Sequence, residues 1–74
     1  MSNEGFKAYA RSELASLSEV DYEKEAMARI HRFKGQIDML VWNNAITQEE
    51  AEELYEELQT ARTKAAANIE AAES

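Results

Sequence analysis

The chain has 74 residues, 45% of them hydrophobic and 31% charged, and its 15 acidic residues against 8 basic ones give a net charge of -7. It has no cysteine and a single histidine, which excludes disulfides and thiolate zinc sites and speaks against a His-rich metal centre. A domain of this size buries only about 60% of its unfolded surface, so good helix packing or a second copy of the chain is needed to hold it.

The opening Met1-Ser2-Asn3-Glu4-Gly5 lacks the basic region and apolar run of a secretory leader. No stretch approaches the ~18 apolar residues of a membrane span. These features predict a soluble, cytoplasmic protein without a membrane role. The acidic balance argues against direct nucleic-acid binding, which needs several lysines or arginines on one face.

Three helices follow from the hydrophobic spacing. Phe6, Tyr9, Ala10, Leu14 and Leu17 recur at three- and four-residue intervals, predicting a first helix over 3–17. Gly5 weakens its first turn. Ser18 then reads as the cap of a new helix, with Asp21 near its positive end and Leu17 and Tyr22 spaced as a hydrophobic staple. The competing reading is one continuous helix from 3 to 44, since neither Gly nor Pro forces a break.

The second helix is expected over 19–44. Tyr22, Ala26, Ile30, Phe33, Ile37, Leu40 and Val41 share one sector of it. At 1.5 Å per residue such a rod is about 39 Å long and needs a comparable partner. Asn43-Asn44 can close it through a left-handed residue. Thr47 then opens a third helix, expected over 48–72, with Glu50 at the third position of a capping box. Its stripe is Ala51, Leu54, Tyr55, Leu58, Ala61, Arg62, Ala65, Ile69 and Ala72. The second half of that stripe is mostly alanine, which offers little area to bury, so fraying is expected past Ile69 unless something covers it.

The short connection makes the second and third helices antiparallel neighbours. Leu40 and Val41 should then meet Leu54, with Tyr22 and Ala26 near Ala65 and Ile69. The predicted fold is all-α: a small helical bundle on a long antiparallel hairpin, with a shorter N-terminal helix packed against its lower half. Ile30, Phe33, Ile37, Leu40, Leu54 and Leu58 form the expected core, and 1–74 a single domain.

No catalytic constellation is present, and the chain reads as non-enzymatic and without a cofactor. His31 has no nucleophile beside it and reads as a helix-flank residue. The block Glu49, Glu50, Glu52, Glu53, Glu56 and Glu57 carries most of the net charge. It lacks the Glu-x-x-His element of di-metal bundles and reads first as a solvated face with acids at a helix N-terminus. Its charges lie roughly 2 Å apart along the axis, close to the ~1.7 Å of duplex DNA. That density leaves open an acidic inhibitor or nucleic-acid mimic that occupies a basic groove.

The back of the second helix is more informative. Ala28, His31, Gly35, Met39 and Trp42 lie about 100–180° from Ile30 around the axis. A helix apolar on two sides sits between two neighbours. Either the first helix covers this side, or a second molecule does. Arg29 and Arg32 are expected to pair with glutamates of the third helix or with a symmetric copy. The residues expected to meet partners are Gly35, Met39 and Trp42 for self-association, and Glu49, Glu52, Glu53, Glu56 and Glu57 for a basic protein. The leading expectation is a protein–protein interaction or regulatory adaptor module that forms a homodimer. A structural or assembly factor is a further alternative.

Overall fold

The computed structural model describes residues 4–73, which form a rod of 46 × 18 × 16 Å. Three helices account for it: α1 Glu4–Ser18, α2 Glu23–Trp42 and α3 Gln48–Glu73. They make the expected all-α bundle, an α2–α3 hairpin with α1 lying mainly on α3 and more narrowly on α2. The expected start at Asn3 lies outside the described residues. No helix among the described residues is long and apolar enough to cross a membrane.

The α2–α3 corner forms as the local sequence dictates. Asn44 adopts the left-handed conformation at φ 58°. Its N–H donates to the Val41 carbonyl at 3.0 Å and that of Ala45 to Leu40 at 2.8 Å, the paired bonds of a Schellman closure. The Thr47 hydroxyl accepts from the Glu50 amide at 3.0 Å, and the Glu50 carboxylate accepts from the Thr47 amide at 2.9 Å. Ile46 before this capping box and Ala51 after it are both buried, the placement of a hydrophobic staple.

The α1–α2 corner departs from expectation. Ser18 closes α1 instead of capping α2, because its Oγ–H donates to the Ala15 carbonyl at 2.8 Å. Glu19 and Val20 continue the turn with amide bonds to Ser16 and Leu17. Val20 drops into the core and carries the chain across the bundle end, so α2 begins four residues late, after an extended Tyr22 with no side-chain cap. Tyr22, 59% exposed, forms no staple and takes no part in the core. The expected helix over 19–44 is therefore 20 residues long, over Glu23–Trp42.

The core holds Ile30, Phe33, Ile37 and Leu58 as expected, with Leu40, Val41, Leu54 and Ile69 half-buried around them. Small side chains do much of the packing: Ala10, Ala26, Ala51, Ala61 and Ala65 are all buried. Alanines allow close helix approach, and α1 occupies the space they leave. The third helix does not fray past Ile69 but continues to Glu73. Asn68 on its inner side donates to the carbonyls of Ser18 and Val20, which fastens this half of α3 to the α1–α2 corner.

Candidate interaction surfaces

The outer side of α2 is solvent-facing along its length. Trp42 is 83% exposed and Met39 61%, with Ala28, His31 and Gly35 also exposed. A β-carbon placed on Gly35 would meet nothing within 4 Å. The first helix does not cover this side because its polar groups dock it elsewhere. The Tyr9 hydroxyl donates to Gln36 Oε1 at 3.1 Å. Glu13 sits between Arg29 and Arg32, at 3.9 and 3.4 Å. Arg29 and Gln36 flank the α2 core stripe on one side, with Arg32 further round, which leaves the side bearing His31, Gly35 and Trp42 open.

Two expectations about this region are corrected. Arg29 and Arg32 pair with Glu13 of α1, and Arg29 also with Glu25 at 3.1 Å, not with glutamates of α3. Arg29 further donates to Ser16 Oγ at 3.0 Å, so the α1–α2 seam is where these cations serve. The first helix also reaches further than the middle of α2, because α2 is shorter than expected. Phe6 lies beside Leu40 and Met39, and an open groove of about 490 Å³ runs between the two helices. Phe6 and Tyr9 form one wall, Met39 and Leu40 the other, with Gly35, Gln36 and Arg32 completing it. The two aromatic rings stand 6.2 Å apart and tilted by 39°. Trp42 lies beyond this groove, one helical turn past Met39.

The acidic block divides into two sides. Glu50 is committed to the capping box and to Lys7 of α1 at 3.9 Å. Glu53 and Glu57 border a smaller cleft of about 180 Å³ between α1 and α3, together with Lys7 and Arg11. Glu49, Glu52 and Glu56 project from the opposite side of the helix from Leu58, by their spacing. Glu49, Glu52, Glu53, Glu56 and Glu57 are all exposed. Among the described residues none of these five has a Lys or Arg at ion-pair distance.

On the other flank of α3, the Tyr55 hydroxyl donates to the Asp38 carboxylate of α2. That bond, with burial and the adjacent negative charge, pushes the phenol up to about 12 from its ordinary 10.0. Sequence reasoning missed this cross-link, as it missed Tyr9–Gln36 and Asn68–Ser18, because each joins residues far apart in the chain. Val20 had a weaker signal: an apolar residue stranded in a polar turn. His31 is exposed, and among the described residues no three His, Asp or Glu side chains gather as a metal site requires. The chain matches no known family model, no curated protein and no solved structure.

Proposed function

We propose that this chain is a non-enzymatic, cytoplasmic helical interaction module that self-associates through the outer side of α2, serving as a small adaptor or regulatory protein. The observation that carries this reading is Trp42, 83% exposed beside a 61% exposed Met39 on a side that, among the described residues, no other helix covers. Leaving a large aromatic in water forgoes the free energy of burying it, and tryptophan is among the residues enriched at interface hot spots. Sedimentation of the wild-type chain should show mass rising with concentration, and Trp42→Glu should abolish the rise while preserving the helical spectrum. A wild-type mass that stays monomeric into the hundreds of micromolar overturns the reading.

A second reading rests on the acidic side of α3. The helix dipole accounts for Glu49 and Glu50 in the first turn. It does not reach Glu52, Glu53, Glu56 and Glu57, so these four supply a docking surface for a basic protein, as an inhibitor that occupies a nucleic-acid groove would. Reversing the four to Lys should then abolish capture by an immobilised basic protein such as a histone. Binding by the wild type should fall steeply with salt, because exposed charges are screened beyond about 8 Å at physiological ionic strength. Capture unaffected by the reversal leaves the block as a solvated face.

A further inference from the structure

We infer that the Phe6–Tyr9–Met39–Leu40 groove is the seat for Trp42 of a second copy of this chain, in an antiparallel twofold pairing of α2 centred between Asp38 and Met39. The inference rests on the self-association reading and adds the seat, the direction and the register.

Spacing along the helix carries it. A closed twofold contact requires that if residue i of one copy meets j of the other, j also meets i. Trp42 is the chain's most exposed large apolar side chain, and Gly35 forms part of the apolar groove next to it. They stand seven residues apart, about 10.5 Å at the helical rise, on nearly the same side of α2. An axis midway between them puts each residue about 5 Å from it in opposite directions. Each indole is therefore brought opposite Gly35 of the other copy, at the rim of its groove, and both contacts form at once. Trp42 does not line the groove of its own chain and stands 83% exposed.

The groove suits an indole in chemistry as well as position. Phe6 and Tyr9 line it with two aromatic rings 6.2 Å apart, Met39 with a polarizable thioether, and Gly35 with no side chain at all and open space over its α-carbon. Gln36 Oε1 accepts one bond from Tyr9 and keeps a second lone pair for the indole N–H. An indole this exposed offers on the order of 200 Å². Two indoles and the two seats they cover remove about 800 Å² from water, and the Met39 pair at the axis adds to it, toward the ~1,200 Å² at which stable interfaces begin. The net charge of -7 opposes pairing, as do the two Asp38 carboxylates that the same axis brings near each other, each already accepting a bond from Tyr55; the five exposed glutamates lie on α3, away from this contact.

The absence of cysteine makes the test clean. Met39→Cys and Ala28→Cys each place one thiol on the exposed side of α2. In the proposed pairing the two Met39 positions meet at the axis, whereas the two Ala28 positions stand roughly 31 Å apart. Mild oxidation should cross-link Met39→Cys as a dimer and leave Ala28→Cys monomeric, and adding Trp42→Glu should remove the Met39→Cys product. Gly35→Leu should keep the monomer folded, since the position is open, while weakening dimerisation by about tenfold or more by filling the seat. Dimerisation of the wild type should strengthen with salt as like charges are screened, opposite to the docking of a basic protein. Cross-linking at both positions means a parallel pairing and overturns the seat while keeping the α2 face. A dimeric mass with neither cross-linking, or one indifferent to Gly35→Leu, also overturns the seat. A monomeric wild type overturns the self-association reading itself.

Discussion

The side-chain amide of Asn68 on α3 donates to the backbone carbonyl of Ser18 at 2.7 Å, across 50 residues of sequence. The same nitrogen reaches the Val20 carbonyl at 3.3 Å. These acceptors are where α1 ends and the chain turns into α2, a corner without any side-chain cap on its second helix. Asn68 thus takes over from the far end of the chain what a local cap does elsewhere.

Asn68→Ala strands two partly buried carbonyls, and losing such a partner costs about 1–3 kcal/mol. Urea unfolding should show a loss in that range, and amide exchange should speed up over residues 18–22 before it does in the core. A variant within about 0.5 kcal/mol of wild type, the scatter of ordinary surface substitutions, would mean that the corner holds itself.

At the opposite corner, Thr47→Ala removes the hydroxyl that accepts from Glu50 and should cost roughly 0.5–2 kcal/mol. Glu50→Ala removes the reciprocal bond together with the Lys7 contact. Because the two side chains satisfy one capping box, the double variant should cost less than the sum of the single ones. Strict additivity in thermal or urea unfolding would disprove the coupling.

The central core ranks its own substitutions. Ile37 is 0% exposed and Phe33 3%, so truncation of either to Ala should cost about 2–5 kcal/mol. Leu40 borders the open groove and is only half-buried, so Leu40→Ala should cost less than either. A small domain sits at the low end of the ~5–15 kcal/mol that folded proteins possess, and Ile37→Ala should leave a measurable unfolded fraction at room temperature. Equal losses at Leu40 and Ile37 would contradict the packing described above.

Tyr55 gives a pH signature. Its phenol is raised from 10.0 to about 12, first by the bond to Asp38, so the folded chain holds this proton more tightly than the unfolded one. The associated stability is complete below the unfolded value of 10.0 and is lost as pH rises through about 12. Ultraviolet titration should show one phenolate step near pH 12 that disappears in Tyr55→Phe. In Asp38→Asn that step should move down toward 10.0, because its largest cause is gone. A step that stays near 12 without Asp38 would assign the shift to burial instead.

The helices, the α2–α3 corner and most of the core were legible from residue order, because each depends on neighbours three or four positions away. Asn44 can take the left-handed turn and Thr47 and Glu50 can exchange bonds whatever the rest of the chain does. The α1–α2 corner was misread because a serine hydroxyl can donate back to a carbonyl of its own helix as well as cap the next one, and Ser18 donates to Ala15 while Val20 beyond it is buried. Partners for Arg29 and Arg32, the Tyr55–Asp38 bond and the Asn68 tether were likewise beyond local reading, since each needs two helices already docked. The exposure of Gly35, Met39 and Trp42 belongs to both levels. Their spacing put them on one side of α2, but only the packing of α1 against α3 and the Gln36 flank determined that this side stays open. Local periodicity fixes which residues share a face; which faces meet depends on the summed packing of all three helices, and no single segment carries that sum.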